Sequence, residues 1–600
     1  MKRGSPGWRE GSCAALLAVL LLVAAPARAR CDIKQMDIPV RMVDQRPVAT
    51  LTLNGTPVPM LVDSGAFFSF LNASTATQLN LPLGSLPYGL RIEGHAGRVQ
   101  ARMTRVAKVG LQGAELSNVE FVVGGNEIGN GIMGILGRNF LSMADAEYDL
   151  AHGIVRLVFP DGDCEQANFA YWAGDAPVVV APLRADNRGD RSIRTEVLIN
   201  GTRVTALLDT GAWQSTLTLK TAGRVGIAES DLTPAGRTAG AGEGLAHSWT
   251  GTVPSFELGG ERVSNNRLRF DDVDATDHGM LLGVDYFLSH RIYVSRLQQR
   301  AYITWNGDAV FALNRPEPGR YDTRYAAMPA DVPRDDADAL ARRGTAAMAA
   351  RDFKRALEDL DRACELAPGV AEYFHARARL HLELHEGRLA LADLDEALRL
   401  DPALSEARFR RAWLNAGRGE RAAAQTDLAA LDAGLPPSAA LRAEMGHLYA
   451  SFDQAPEALR QFDLWVEAHR RDIRLAGVLN ERCWTRARLN IDLPLALRDC
   501  KDAIDLDEEA PGYRDSLGWT YLRLGDAARA KKSFDAAIGL KEQPASLYGR
   551  GLAQRRLNDA PGGERDLAAA RKLNPRIDDE VRKLGFDFAD GAPPAAAAGS

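Results

Sequence analysis

The sequence reads Leu61-Val62-Asp63-Ser64-Gly65-Ala66 near its start and Leu207-Leu208-Asp209-Thr210-Gly211-Ala212 further on. In both stretches an apolar run ends in an acidic residue, a hydroxyl residue and two small residues. The second Asp follows the first by 146 positions (209 minus 63). The recurrence indicates that a longer unit has been duplicated within the chain.

Two further features recur at the same distances from each aspartate. An Asn-Gly pair, which favours a tight turn, stands nine residues before it, as Asn54-Gly55 and Asn200-Gly201. A Leu-Gly pair follows, with its glycine 74 residues after the aspartate, as Leu136-Gly137 and Leu282-Gly283. A lone Asp-Ser/Thr-Gly arises easily by chance. The shared spacing therefore predicts one fold for both units.

The chain divides by its hydrophobic pattern. From about residue 36 to residue 305, short runs rich in Val, Ile, Leu and Thr alternate with Gly, Asn, Asp or Pro, which predicts strands and little helix. After the Pro-rich stretch 316–333 the composition changes to Ala, Leu, Arg, Glu and Asp at helical spacing. A linker over 311–336 is the expected boundary.

The helical part repeats about every 34 residues, with units that start near 337, 371, 405, 439, 477, 511 and 544. Small residues at the twentieth position let paired helices approach closely, and larger residues four positions later fill the space between them. This pattern resembles the tetratricopeptide repeat and predicts a solenoid of about seven units over 337–578. The small residues are Ala356, Ala390, Ala424, Ala458, Ala496, Ala530 and Gly563.

Composition excludes several classes of protein. Six hundred residues exceed what one hydrophobic core serves, and 46% hydrophobic with 25% charged residues is ordinary for a soluble multidomain protein. A formal charge of −6 gives no electrostatic reason to expect a nucleic acid partner. The ten His residues form no HExxH pattern and the cysteines show no CxxC or metal-ligand spacing, so neither a metal nor another cofactor is expected.

The N-terminus has the pattern of a secretory signal peptide. Lys2 and Arg3 precede an apolar run over 14–25 that is too short to span a bilayer, and Ala27-Arg28-Ala29 offers a cleavage site. We expect a signal peptide over 1–29, a periplasmic or secreted location, and no membrane span after cleavage. An uncleaved anchor helix is the alternative.

Export makes the remaining cysteines candidates for disulfides. Cys31 and Cys164 bracket the first duplicated unit, and Cys483 and Cys500 fall at core-facing positions on the two helices of one repeat. The sequence leaves the first pairing open. For the second pair, a disulfide and two buried thiols are both compatible with the pattern.

The duplicated unit resembles the retropepsin-like aspartic proteases, most closely the exported bacterial members, and two halves in one chain are similar to the pepsin-like arrangement. The resemblance covers about residues 36 to 305. It implies all-β barrel halves over 31–165 and 175–310 that form an intramolecular pseudo-dimer. The expected fold is thus multidomain, with an all-α repeat solenoid after the linker and a partly disordered tail over 579–600.

The resemblance implies that Asp63 and Asp209 are the catalytic residues. Two carboxylates about a water's width apart cannot both ionise at low cost, so the pair shares one proton. One carboxylate then acts as a base toward the water while the other acts as an acid toward the substrate carbonyl. A strongly coupled pair titrates as a unit, so neither role is assigned to one residue.

Other positions support the pair in the same family pattern. The hydroxyls of Ser64 and Thr210 are expected to hydrogen-bond across the pseudo-twofold axis, and Gly65 and Gly211 let backbone amides approach the carboxylates. A Gly-rich stretch in each half stands where the family carries its flap, a hairpin that closes over substrate; an ordinary flexible hairpin is the alternative. The flap residues in this interpretation are Gly94, His95, Gly97, Gly240 and Gly242.

The sequence therefore predicts an exported aspartic endopeptidase that acts on a protein or peptide substrate and uses its repeat domain to bind that substrate or a protein partner. One alternative is a non-catalytic peptide-binding protein on a protease fold. Another is a scaffold whose essential part is the repeat array. Loss of either aspartate would favour the first alternative, and both aspartates are present.

Overall fold

The computed structural model describes residues 31–88, 91–94, 97–184, 191–239, 245–273, 278–312, 320–322, 327–329, 331–470 and 472–586. The first half of the β part contains strands and two short helices. Its elements are β1 (Asp32–Pro39), β2 (Arg41–Val43), β3 (Arg46–Leu53), β4 (Thr56–Val62), β5 (Phe70–Leu71), α1 (Ala73–Gln78), β6 (Ile92–Gly94), β7 (Gly97–Val99), β8 (Ala101–Leu111), β9 (Ala114–Gly124), β10 (Gly134–Leu136), α2 (Arg138–Leu141), β11 (Asp145–Asp149) and β12 (Ile154–Asp161).

The second half repeats this order of elements. It consists of β13 (Val179–Pro182), β14 (Arg194–Ile199), β15 (Thr202–Leu208), β16 (Thr216–Thr218), α3 (Leu219–Arg224), β17 (Thr233–Ala239), β18 (Leu245–Leu258), β19 (Glu261–Asp271), β20 (Met280–Leu282), α4 (Val284–Phe287), β21 (His290–Ser295), β22 (Arg300–Trp305) and β23 (Arg320–Asp322).

Local sequence explains the hairpins that begin each half. In β3, Leu51 and Leu53 are buried while the residues on either side of Leu51 are exposed, the period of two expected of a strand with one face on the core. Asn54-Gly55 joins β3 to β4 with φ angles of 50° and 85°. Asn200-Gly201 joins β14 to β15 with φ angles of 51° and 79°. Asn and Gly tolerate such angles, which suit two-residue hairpin turns.

Within the described residues, each half closes most of a barrel and the halves share a third sheet. The first barrel-like sheet has the order β2-β3-β4-β10-β5-β9-β8 and closes through β3 and β8. The second has the order β17-β18-β14-β15-β20-β16-β19-β23 and closes through β18 and β19. The shared sheet, β1-β12-β11-β21-β22-β13, joins the halves where β11 pairs antiparallel with β21. This confirms the predicted all-β duplicated fold.

The helical part consists of antiparallel helix pairs, α5 with α6 through α17 with α18, followed by one more helix. The helices are α5 (Ala337–Ala349), α6 (Phe353–Leu366), α7 (Ala371–Glu383), α8 (Gly387–Leu400), α9 (Ser405–Gly417), α10 (Arg421–Gly434), α11 (Arg442–Ser451), α12 (Ala455–Ala468), α13 (Leu475–Leu489), α14 (Leu493–Leu506), α15 (Pro511–Arg523), α16 (Ala527–Leu540), α17 (Pro544–Arg556), α18 (Ala560–Leu573) and α19 (Ile577–Lys583). The predicted repeat solenoid is confirmed.

Two patterns hold the helix pairs together. The alanines at the twentieth position of the first six units are fully buried, and the larger residues four positions later are buried beside them. Most pairs also carry a charged contact in which an Arg of the first helix bonds an Asp of the second through two nitrogens, a geometry that fixes orientation as well as contributing energy. These contacts are Arg343–Asp359, Arg377–Asp393, Arg411–Asp427, Arg482–Asp499 and Arg550–Asp566.

The structure differs from the predicted boundaries at two places. The expected linker 311–336 contains β23, which pairs antiparallel with β19 and so belongs to the second half. The expected tail begins at 579, yet α19 continues to Lys583 and Phe586 is buried against Trp519. Aromatic burial extends the helical core past the last repeat. Among the described residues, no helix is both long enough and apolar enough to cross a membrane.

Candidate active site

Each predicted aspartate follows a buried strand and is held at a parallel strand pair. In the first half β4 lies parallel to β10, and the amide of Asp63 donates to the Leu136 carbonyl at 3.0 Å. In the second half β15 lies parallel to β20, and the amide of Asp209 donates to the Leu282 carbonyl at 2.9 Å. The apolar runs before the aspartates bury these strands. The loops that carry Asp63 and Asp209 therefore lie at corresponding positions in the two halves.

The glycine of each Leu-Gly pair lies against the loop that carries the aspartate. A Cβ on Gly137 would lie 2.3 Å from the Phe68 carbonyl oxygen, and one on Gly283 would lie 2.5 Å from the carbonyl carbon of Gln214. Such distances leave no room for a side chain. The recurring Leu-Gly pairs are explained by this backbone contact, which supports the loops from below.

The hydroxyl neighbours of the aspartates bind the two halves to each other. The amide of Ser64 donates to Thr210 Oγ1 at 3.0 Å, and the amide of Thr210 donates to Ser64 Oγ at 3.0 Å. The Ser64 hydroxyl donates to the Leu208 carbonyl at 2.9 Å, and the Thr210 hydroxyl donates to the Val62 carbonyl at 2.7 Å. All four bonds are buried and cross between the halves. Ser64 and Thr210 therefore bond across the axis, as the family pattern implies.

The structure brings the carboxyl groups of Asp63 and Asp209 together, each against the glycine of the other half. A Cβ on Gly65 would lie 2.4 Å from Asp209 Cγ, and one on Gly211 would lie 2.3 Å from Asp63 Cγ. The amides of Gly65 and Gly211 each donate at 2.8 Å to the carboxylate of the aspartate two residues before them. The amides approach the carboxylates as predicted, and the structure adds a second reason for glycine, because a side chain at either position would collide with the opposite carboxyl group.

The environment of the pair alters its titration. Burial raises the pKa of Asp63 well above its ordinary value, and the neighbouring Asp209 carboxylate raises it further. Hydrogen bonds from the amides of Ala66 and Gly65 act in the opposite direction but do not outweigh burial. The pair therefore retains a proton at pH values where an isolated aspartic acid has lost it.

The sequence analysis did not predict a second pair of polar contacts, which lies below the two aspartate loops. Ser69 Oγ accepts from the Gly137 amide at 2.9 Å and donates to Asn139 Oδ1 at 2.7 Å. Ser215 Oγ accepts from the Gly283 amide at 2.9 Å and donates to Asp285 at 2.6 Å. Burial raises the pKa of Asp285 to about 6. The same 146-residue spacing that relates the aspartates relates these residues and could have revealed them.

An aromatic side chain stands four residues after each aspartate. Phe67 is 43% exposed, and the Arg138 guanidinium lies 5.6 Å from its ring centroid. Trp213 is half-buried, and the Arg269 guanidinium lies 5.6 Å from its ring centroid. Both rings leave apolar surface accessible on the loops that carry the aspartates.

The predicted flap residues are only partly described. Gly94 ends β6 and pairs with Gly97 at the start of β7. The strands β6 and β7 therefore form an antiparallel pair. His95, Gly240 and Gly242 lie outside the described residues. In the second half the corresponding hairpin is β17–β18, whose strands pair up to Ala239 and Leu245.

Disulfides join both candidate pairs of cysteines. Cys31 and Cys164, with Cα atoms 4.8 Å apart, link the chain before β1 to the chain after β12. Cys483 and Cys500, with Cα atoms 5.4 Å apart, link α13 to α14. The second pair is thus a disulfide rather than two thiols. In the part of the chain that the structure describes, no group of three or more His, Cys, Asp or Glu residues could hold a metal ion.

Two barrel-like β units joined by a shared sheet, with one aspartate from each at the junction, define the acid protease class of fold. The aspartyl protease family matches the chain twice, over residues 49–140 and 195–286. The tetratricopeptide repeat family matches residues 513–544. The chain therefore carries two retropepsin-like aspartyl protease units followed by tetratricopeptide repeats.

Solved structures similar to the chain include two tetratricopeptide repeat proteins and a pilus biogenesis factor. One from Parabacteroides merdae is 18% identical, covers 42% of this chain and 99% of its own, and has a TM-score of 0.34. PilW, a type IV pilus biogenesis factor, is 17% identical, covers 36% and 97%, and has a TM-score of 0.32. YrrB is 18% identical, covers 37% and 97%, and has a TM-score of 0.22. No curated protein is similar enough to the chain to count as a match.

Proposed function

We propose that the protein is an exported aspartic endopeptidase that hydrolyses peptide bonds with a water activated between Asp63 and Asp209. The proposal rests on how closely each carboxyl group approaches the glycine of the opposite half. A Cβ on Gly65 would lie 2.4 Å from Asp209 Cγ, and a Cβ on Gly211 would lie 2.3 Å from Asp63 Cγ. The two matches to the aspartyl protease family support the same chemistry.

The dyad works as a unit in this proposal. One proton is shared between the carboxyl groups, because burial and mutual repulsion make the doubly ionised state costly. The ionised carboxylate accepts a proton from the attacking water, while the protonated carboxyl donates to the oxygen of the scissile carbonyl. The amides of Gly65 and Gly211 hold the carboxyl groups in position during these transfers.

The two halves act as an intramolecular pseudo-dimer in this proposal. The pairing of β11 with β21 and the four hydrogen bonds of Ser64 and Thr210 support it. A peptide or protein substrate would lie between the halves, with Phe67 and Trp213 contacting its side chains. The repeat domain would bind the protein substrate or a partner, since solenoids of this kind offer extended protein-binding surfaces.

Hydrolysis of peptides by the mature full-length chain tests the proposal. We expect cleavage of a fluorogenic peptide library, inhibited by pepstatin, with a bell-shaped pH profile. Activity should fall as pH rises through the raised pKa of the dyad, because the shared proton is lost, and should fall in strong acid, because both carboxyl groups become protonated. Pepstatin-insensitive cleavage would contradict the dyad mechanism. Absence of cleavage of both the peptides and a protein digest would favour the non-catalytic peptide-binding function.

Export to the periplasm or the medium is part of the proposal. It is supported by the signal-peptide pattern over 1–29 and by two disulfides, which persist in oxidising compartments and are rare in the cytosol. We expect the natural protein in the exported fraction to begin at Arg30, as read by N-terminal sequencing. A chain that keeps Met1 and stays with the membrane would instead indicate an uncleaved anchor.

A further inference from the structure

The repeat solenoid faces its own β part. In α5, Thr345 Oγ1 accepts from the Met42 amide at 3.3 Å. In α7, Arg379 donates to the carboxylate of Asp44, and its side chain is 12% exposed. Thr345 and Arg379 lie on the first helices of their repeats. These helices therefore contact the first protease half at these positions.

The loop between α14 and α15 holds the β17–β18 hairpin of the second half. Arg237 of β17 donates through both terminal nitrogens to Asp507, at 2.6 Å and 2.5 Å, and these side chains are only 25% and 9% exposed. His247 of β18, the cross-strand neighbour of Arg237, lies 2.9 Å from a carboxylate oxygen of Glu509. Two acidic residues of one loop, Asp507 and Glu509, thus contact both strands of one hairpin. We call this contact the hairpin clamp.

The clamp rests on a rigid part of the solenoid. Asp507 follows directly after α14, and the disulfide between Cys483 and Cys500 ties α14 to α13. The Glu509 amide donates to Asp507 Oδ1 at 3.1 Å, which orients the carboxylate for Arg237. The bond from Arg237 lowers the pKa of Asp507 below its ordinary value. Asp507 therefore stays ionised at lower pH than an isolated aspartic acid does.

From the clamp, a continuous line of polar contacts reaches the loop that carries Asp209. Ser248, the residue after His247, accepts from Arg269 Nη2 at 2.6 Å and donates to Asp271 at 2.6 Å. The Arg269 guanidinium in turn lies 5.6 Å from the ring centroid of Trp213, four residues after Asp209. These contacts connect β18 to the loop that carries Asp209.

The hairpin of the first half rests on a different support. Ile92 of β6 and Val99 of β7 are buried against Val122 of β9, in the same half. That hairpin contacts its own barrel through apolar side chains, whereas the β17–β18 hairpin, whose strand β18 also pairs with β19, bonds to the solenoid through Arg237 and His247. The supports of the two hairpins therefore differ.

We propose that the repeat domain is a working part of the protease site, with Asp507 and Glu509 as positioning residues. They hold β17–β18 and, through Ser248 and Arg269, the Trp213 ring in the place where a long peptide is bound. The proposal rests on the proposed function, because it assigns these residues an effect on the affinity for substrate. It leaves the chemistry at Asp63 and Asp209 unchanged.

The test compares Asp507→Asn with Asp535→Asn in the full-length mature chain. Asp535 also forms ion pairs on the solenoid, but with Lys531 of its own helix and Arg550 of the next helix, away from the β part, so it serves as the control. We expect Asp507→Asn to raise KM for a long peptide about tenfold and to change kcat little, since a charge-assisted hydrogen bond is lost away from the dyad. We also expect faster amide hydrogen exchange in residues 233–239 and 245–258. Asp535→Asn should change neither quantity.

A charge exchange makes the assignment specific. Arg237→Asp alone should raise KM as Asp507→Asn does, and adding Asp507→Arg should restore KM and the slow exchange, because the pair is re-formed with reversed polarity. Unchanged exchange in the hairpin, or unchanged KM, in Asp507→Asn would overturn the proposal. Hydrogen exchange needs no activity, so it reports on the clamp even if the chain cleaves no peptide, which would contradict the proposed function instead.

Discussion

Replacing Asp63 or Asp209 alone by Asn is expected to lower kcat by about 10²- to 10⁴-fold, the usual contribution of general acid–base groups. Asn keeps the shape of the side chain but can neither accept the proton of the water nor share a proton with the remaining carboxyl group. Because the two aspartates form one site, either single change should be as damaging as both together. The measurement is steady-state cleavage of the best peptide from the library.

Of these variants, Asp63→Asn should also be at least as stable as the natural protein at neutral pH. The pKa of Asp63 is raised in the folded chain, so the folded state holds its proton more tightly than the unfolded state. Stability that is fully present in acid is therefore lost as pH rises through the raised pKa. Asp63→Asn removes this loss, and its melting temperature at neutral pH should equal or exceed that of the natural protein in thermal denaturation followed by circular dichroism.

Asp231→Asn serves as the matched control, since Asp231 is exposed in the second half and belongs to neither loop. It should keep full activity and an unchanged melting temperature. If one of the two dyad variants kept full activity while the other lost it, a shared site would be excluded. Loss of activity together with a lowered melting temperature would show that the aspartates serve folding rather than catalysis.

The duplicated spacing, together with the strand pattern and the family resemblance, predicted the duplicated all-β fold and the residues that meet between its halves. The 146-residue repeat relates Asp63 to Asp209 and Ser64 to Thr210, and residues so related meet across the axis. The periodic alanines of the solenoid likewise mark its buried helix contacts. In both cases each copy of a repeated structure requires a residue of similar size and chemistry at the equivalent position. The requirement is therefore visible as a recurring residue type in the sequence.

Contacts that occur once in the chain have no such signal. Arg237 and Asp507 are 270 residues apart, and an Arg on a strand and an Asp after a helix each look like ordinary surface residues. The shared sheet was equally hidden, because the apolar run of β21 predicts a strand without saying that it pairs with a strand of the other half. Tertiary position, rather than local propensity, determines these contacts.

Adding one methyl group at Gly65 or Gly211 is expected to reduce kcat by about 10²-fold, the loss that misplacing reacting groups by roughly an ångström can produce. The new Cβ would lie 2.4 Å or 2.3 Å from the carboxyl carbon of the opposite aspartate, closer than real contacts allow. Either the carboxyl groups or the loops must move. Cleavage by Gly65→Ala and Gly211→Ala, measured with the same peptide, checks this.

Gly223→Ala is the matched control, because a Cβ there, in α3, meets no atom within 4 Å. It should retain full activity. Near-ultraviolet circular dichroism distinguishes a shifted site from a lost fold, since a misfolded junction would alter the aromatic signal and a local shift would leave most of it.

Full activity in Gly65→Ala would mean that the opposite carboxylate moves freely, and the close approach of the dyad would then not be what activates the water. Reduced kcat with unchanged KM would instead show that the glycines act at the reacting atoms and not on substrate affinity, in contrast to the variants of the hairpin clamp.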